Sequence, residues 1–190
     1  MTGTRARALG AALIGAMMAV AAVAVVSVPH ARAASAQELT RSASQALRDL
    51  YAKEKSARIL GDKATAILVF PGIVKAGFMF GGQLGEGVLF EHGRVAGYYN
   101  SIAASYGFQA GIQKFGYALF FMNRNALSYL ARSEGFEIGV GPSIVVVDKG
   151  MGKSLTSTTL THDVYAYIFN QTGLMGGVGI QGSKITRIDK

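Results

Sequence analysis

The hydrophobic pattern of the chain changes near residue 64, from helical spacing to extended segments. Between Leu39 and Tyr51 apolar residues recur every three or four positions, which predicts an amphipathic helix. Ser35 and Glu38 have capping-box spacing, so this helix should begin near Ala36. A second short helix is predicted over residues 55–60, with Gly61 as the residue that ends it.

The first helix has two interpretations. One is a helix that lies on a membrane surface with its apolar stripe among lipids. The other is a helix that covers a β-sheet. Its polar face carries acids such as Asp49 and Glu54 beside bases such as Arg41, Arg48 and Lys53, and this mixture favours the second interpretation.

After residue 64 short apolar runs alternate with glycine-containing turns, which is typical of strands. His92-Gly93 separates two such runs and predicts a hairpin, while Asn123 should cap a helix that runs to about Arg132. Strands are predicted over residues 66–70, 73–84, 87–91, 94–99, 102–112, 115–122, 136–140, 143–147, 163–169, 174–180 and 184–188.

Glycine is abundant and evenly spread, with 25 residues in the chain. Such glycines permit bulges, sharp coiling and close contact between backbones. The strand at 163–169 is apolar on both faces, so it must be covered twice, by protein or by a ligand. The predicted fold is α+β: a strongly curved, mostly antiparallel β-sheet or partly closed barrel, with N-terminal helices and one internal helix.

The N-terminus has the composition of a secretory signal peptide. Arg5 and Arg7 precede a long apolar run, and Ala31-Arg32-Ala33 has the small residues of a cleavage site. We predict cleavage after Ala33, which leaves one domain over residues 34–190; an uncleaved membrane anchor is the alternative. The predicted location is outside the cytoplasm, in the periplasm or at the outer membrane, with secretion as the alternative.

Charge and composition narrow the function classes. Without Arg5, Arg7 and Arg32 the chain keeps 16 Lys and Arg against 11 Asp and Glu, a net charge of about +5. Outside the cytoplasm this balance suits a phospholipid surface better than nucleic acid, although it also serves solubility alone. The absence of cysteine excludes disulfides and thiolate metal sites.

No motif for catalysis or for a cofactor is complete. The segment Gly150-Met151-Gly152-Lys153-Ser154 resembles the end of a phosphate-binding loop, but Val147 stands where the first glycine is required. His162 and Asp163 are neighbours on a predicted strand and should point to opposite faces, which suits an acid–base pair poorly. We therefore predict a non-enzymatic protein with no catalytic residues, no metal site and no cofactor.

Basic residues are the candidate ligand contacts. Lysines beside glycines or aromatics at the predicted strand ends can place an ammonium group at phosphate depth in a membrane, whereas ordinary solvated turn lysines are the alternative. Two arginines of the first helix complete the candidate set. The predicted lipid-binding residues are Lys75, Lys114, Lys149, Lys153, Arg41 and Arg48.

Several ordered motifs resemble those of the SYLF domain family. They are Phe70-Pro71-x-x-x-Lys75-Ala76-Gly77-Phe78, Gly81-Gly82-x-x-Gly85-x-Gly87, Gly107-Phe108-Gln109-Ala110-Gly111, Gly139-Val140-Gly141-Pro142, Tyr165-Ala166-Tyr167 and Gly173-Leu174-Met175-Gly176-Gly177-Val178. One departure is Tyr98-Tyr99-Asn100-Ser101, where many members have Trp-Ser-x-Pro; this chain has no tryptophan.

The resemblance implies a curved β structure with N-terminal helices that binds phosphoinositides or other anionic phospholipids without catalysis. The resulting hypothesis is an exported domain that binds anionic phospholipids at a membrane surface of the cell envelope. The alternative is a structural or adaptor protein of the envelope whose partner is another protein. Nucleic acid is not an expected partner.

Overall fold

The computed structural model describes residues 34–132, 136–137, 143–147 and 160–190, with the backbone alone at 106–109, 136–137 and 176–183. The predicted signal peptide, Lys149 and Lys153 lie outside the described residues. Three helices and five strands are present in the described part: α1 (Ala36–Lys53), α2 (Lys55–Lys63), β1 (Ala66–Glu91), β2 (Arg94–Phe121), α3 (Arg124–Arg132), β3 (Phe136–Glu137), β4 (Ile144–Val146) and β5 (Val164–Ile188).

Helix α1 begins with the predicted capping box. The backbone N–H of Glu38 donates to Ser35 Oγ at 3.2 Å, and the backbone N–H of Ser35 donates to Glu38 Oε2 at 3.0 Å. The apolar stripe of α1 is buried against the sheet through Leu39, Ala43, Ala46 and Leu50. The interpretation of α1 as a helix that covers a sheet is therefore confirmed.

The two shorter helices follow the prediction with one difference. Asn123 Oδ1 accepts the backbone N–H of Ala126 at 2.9 Å and caps α3, as predicted. Helix α2, however, continues past Gly61 to Lys63. The phenol ring of Tyr51 occupies the space that a Cβ on Gly61 would need. Gly61 therefore permits contact between α1 and α2, and the prediction that it ends the helix was wrong.

The sheet is built on three long antiparallel strands in the order β1-β2-β5, and β5 also pairs with β3 and, in parallel, with β4. The predicted hairpin at His92-Gly93 is confirmed; both residues have positive φ, 50° and 77°. The separate strands predicted on either side of it are continuous. Pro71 does not end a strand, because a register shift between Phe70 and Ile73 accommodates it within β1.

The first long strand folds back on itself. A Cβ on Gly77 would lie 2.6 Å from the Cα of Gly81, and a Cβ on Gly87 would lie 2.6 Å from the ring of Phe70. Between the first two glycines Met79 has a φ of 61°, beside a register shift. We call residues 77–81 the apex of the bend. The register of β2 against β1 shifts between Phe78 and Phe80, whereas β5 stays in register with β2 through the bend.

The core lies where the two ends of the folded sheet meet the helices. Leu39 and Ala43 of α1 pack with Val69 from one end of β1 and Val88 from the other. Tyr165 and Tyr167 of β5 pack with α1 and α2, while Val164 and Ala166 belong to the cluster that includes Leu130 of α3. This strand is thus covered twice by protein, as its composition predicted.

The observed fold is α+β with strands dominant, a mostly antiparallel sheet curled into a half-barrel, and it confirms the predicted fold class. Within the described residues, no helix has the length and apolar character needed to span a membrane.

Substitution at Gly87 tests the fold-back of β1. Gly87→Ala should lower the free energy of unfolding by about 1–3 kcal/mol, because the new Cβ would overlap the fully buried ring of Phe70. The measurement is urea unfolding of the purified protein. Gly82→Ala is the matched control: its nearest neighbour, Ala103 O, lies 3.9 Å from the new Cβ, so stability should stay within about 0.5 kcal/mol. Equal effects of the two substitutions would contradict the fold-back.

Candidate functional site

Two of the predicted lysines lie side by side in the middle of long strands. In the β1–β2 ladder Val74 is opposite Lys114, and the next row pairs Lys75 with Gln113. Residues opposite each other share a face and successive residues alternate, so Lys75 and Lys114 point to opposite faces of the sheet. The prediction that these lysines lie at strand ends was wrong, because β1 and β2 continue through the glycines and through Pro71.

Arg41 and Lys114 line the same cleft between α1 and β1, which has a volume of about 740 Å³. The methylene chain of Lys114 crosses Gly72, where an added Cβ would lie 2.9 Å from Lys114 Cε. Two carboxylates, Asp49 and Glu86, line the cleft as well. Glu86 is ion-paired with Lys190 at 3.0 Å, and Asp49 Oδ1 accepts a hydrogen bond from the side-chain amide of Gln45 at 2.7 Å.

Arg48 does not join this group. It lines a second cleft of about 390 Å³ together with Tyr51 and His92. Of the six predicted contacts, the structure therefore brings together Arg41 and Lys114, and it leaves Arg48 in another cleft and Lys75 on the opposite sheet face.

The outer face of the bend is apolar and exposed. Consecutive rows of the β1–β2–β5 ladder place aliphatic and aromatic side chains on this face, from the Val74 row to the Leu84 row. We call this set the outer ridge: Val74, Phe78, Phe80, Leu84, Ile102, Ile112 and Leu174, with exposed fractions of 46%, 76%, 70%, 59%, 51%, 66% and 88%. Isolated exposed apolar residues are ordinary, but a contiguous set of this kind marks an interaction surface.

The charges beside the outer ridge are mostly positive. The strand segments that cross the bend, residues 74–84, 102–114 and 172–184, contain three lysines and no Asp or Glu. Lys75 points to the other face of the sheet, so Lys114 and Lys184 are the lysines beside the ridge. Lys114 lies at one end of the ridge, beside Val74. At the other end Lys184 is opposite Ile102 on one side and Glu137 on the other. The bend is therefore an apolar surface with a net positive border.

Sequence reasoning missed both Lys184 and the outer ridge. The signal was present, since large apolar residues occupy the even positions 74, 78, 80 and 84, and the odd positions between 74 and 84 are Lys, Gly or Gln except for Met79. Alternation alone does not say which face points to solvent, and the apolar face is ordinarily the buried one.

His162 and Asp163 have structural roles. Asp163 Oδ1 accepts the side-chain amide of Asn123 at 2.7 Å, and Oδ2 accepts the backbone N–H and the hydroxyl of Ser143 at 3.2 and 3.1 Å. The ring of His162 packs edge-on against Tyr165. Asp163 therefore joins the start of α3 to β4 and β5. Among the described residues, no three His, Asp or Glu side chains are grouped closely enough to hold a metal ion.

A curled antiparallel sheet with helices over its two ends and an exposed, cation-bordered bend defines a β-dominated binding domain. The family model described as "Ysc84: Las17-binding protein actin regulator" matches residues 102–190. This part of the chain, which contains most of β2 together with α3 and β3–β5, belongs to the SYLF domain family, a family of binding domains, as the motifs predicted. No curated protein matches the chain significantly.

Asp163 should make stability depend on acid pH. The hydrogen bond from the Asn123 amide, followed by those from Ser143, lowers the pKa of the Asp163 carboxyl below its ordinary 3.8. Its contribution to stability is therefore complete above the unfolded-state pKa and is lost as the pH falls through the folded-state pKa. In urea unfolding, Asp163→Asn should be less stable than the wild type at neutral pH, and the difference should narrow near about pH 3.

The control for this prediction is Asp189→Asn, which changes an exposed carboxylate near the C-terminus. A stability difference between wild type and Asp163→Asn that is the same at both pH values would contradict the role assigned to the carboxylate.

Proposed function

We propose that this protein binds anionic phospholipids at a membrane surface, without catalysing a reaction. The observation that supports the proposal best is the bend, where a contiguous exposed apolar face lies beside lysines and the crossing strand segments have no carboxylate. Apolar side chains gain free energy when they leave water, and each Lys or Arg near an anionic surface contributes about 1 kcal/mol. One surface offers both contributions.

The cleft between α1 and β1 supports the same function. Arg41 and Lys114 face it, and Val74 of the outer ridge forms part of its wall. A phosphate group near these two cations would lie directly beside the apolar surface. This is the order in which a phospholipid presents its headgroup and its acyl chains.

Charge reversal tests this proposal. Arg41→Glu and Lys114→Glu should each weaken co-sedimentation with phosphatidylglycerol-containing vesicles about fivefold or more at low salt, because each reversal removes an attraction and adds a repulsion. High salt should reduce the difference from wild type. Arg124→Glu is the matched control, since it also reverses an exposed arginine but lies at the start of α3.

Two results would contradict the proposal. One is equal sedimentation of the wild type with neutral and anionic vesicles at low salt. The other is a loss of binding in Arg124→Glu as large as in Lys114→Glu, because binding would then follow net charge rather than this surface.

We further propose that the protein is exported, with cleavage after Ala33, and that it acts at the periplasmic or outer-membrane surface. Expression in an exporting host should give a mature protein whose N-terminal sequence starts at Ala34, because residues 31–33 have the small-residue pattern of a cleavage site. N-terminal sequencing of the envelope fraction measures this. The control variant Ala33→Asp should not be cleaved. A wild-type protein that keeps Met1 at its N-terminus would contradict the proposed cleavage.

Binding of another protein is the second candidate function. It is favoured by the family description, which names a protein that binds Las17. Lipid extraction of the purified protein separates the candidates: co-purified anionic phospholipid supports the first, and a protein partner at fixed stoichiometry without lipid supports the second.

A further inference from the structure

In the bend, the apolar and polar side chains lie on the opposite faces from those they occupy in an ordinary water-soluble sheet. Its outer face carries the apolar residues of the outer ridge. Its inner face, on the alternate positions of the same strands, carries polar residues that are buried or half-buried: Lys75, Gln83, Ser101, Ser105 and Gln113. In an antiparallel sheet with one solvated face the pattern is ordinarily apolar inside and polar outside. An exposed apolar face of this kind is typical of a surface that leaves water when it binds.

The inversion is confined to the bend. At the two ends of the same strands protein covers the apolar side chains, and Phe70, Leu119 and Val88 are fully buried. Helix α1 also keeps its apolar stripe against the sheet rather than exposing it. Among the described elements, the bend is therefore the region best suited to enter an apolar phase.

The shape of the bend decides which partner fits. Because β1 folds back until Gly77 contacts Gly81, the outer face is convex, and Phe78, Met79 and Phe80 are at its tip. A second copy of the same convex surface would touch it over a small area only. Fluid acyl chains conform to a convex shape, and anionic headgroups complement Lys114 at its border.

We propose that the outer ridge inserts among the acyl chains of the bilayer, with Phe78 and Phe80 deepest and Lys114 at the level of the phosphates. This inference rests on the proposed function and specifies how binding occurs. Lysine suits this depth because its methylene chain lies along apolar surface while its ammonium group reaches the polar layer. Insertion also removes the exposed ridge from water, which favours membrane binding at any salt concentration.

Tryptophan fluorescence tests the insertion directly, because the chain has no tryptophan of its own. Phe80→Trp places the single indole at the tip, and Val146→Trp places it at an exposed position on β4, away from the bend. Both variants are bound to vesicles of phosphatidylcholine and phosphatidylglycerol. Emission from Phe80→Trp should shift to the blue and be quenched by lipids brominated on their acyl chains, while emission from Val146→Trp should remain unchanged.

Removal of the apolar tip gives a second readout. Phe78→Ser/Phe80→Ser should lower affinity for the same vesicles about tenfold or more at high salt, since each aromatic ring withdrawn from the acyl chains loses its transfer free energy. Both side chains are largely exposed, so urea unfolding should match the wild type.

The outcomes separate the two proposals. Salt-dependent vesicle binding without quenching of Phe80→Trp, and with full affinity of Phe78→Ser/Phe80→Ser, would overturn insertion and leave surface binding in place. A wild type that binds no vesicle would overturn both. A wild-type dimer that Phe78→Ser/Phe80→Ser converts to a monomer, with no quenching, would assign the ridge to a second copy and overturn insertion.

Discussion

The contact between the two halves of β1 is the constraint on which the rest of the structure depends. The backbone of Gly77 meets Gly81, and farther along Gly87 meets the ring of Phe70, so the strand returns along its own inner face. Only residues without a Cβ permit this approach. Because β2 pairs with β1 on both sides of the turn and β5 stays paired with β2 through it, all three strands bend together.

This fold-back divides the sheet into regions with different surroundings. The strand ends are brought together, and one helix, α1, can then bury residues from both ends of β1, such as Val69 and Val88. The middle of the strands projects away from that shared core. Phe78 and Phe80 lie there, largely exposed, because no described helix reaches them.

The chemistry of the surface follows from this division. The apolar outer ridge, the lysines at its border and the polar inner face all belong to the same three strand segments. Residues such as Arg41, which belong to α1, join this surface only where the helix edge meets β1 in the cleft beside Lys114. The match of residues 102–190 to the SYLF domain family agrees with a binding role, and the geometry adds a specific surface on which that role can be tested.

The sequence alone determined the fold class, the presence of the three helices and the hairpin. Capping at Ser35 and Asn123, the turn at His92-Gly93 and the period change near residue 64 are local signals, and local hydrogen bonding decides them. Only the tertiary structure decided that Pro71 lies within a strand, that Gly61 serves a contact with Tyr51, and that Lys75 and Lys114 face opposite ways. The alternation of apolar and polar residues assigns side chains to two faces of a strand but does not show which face is buried, because burial depends on contacts between distant segments. The outer ridge could therefore be identified as a solvent-facing surface only from the fold-back of β1, which places it outside.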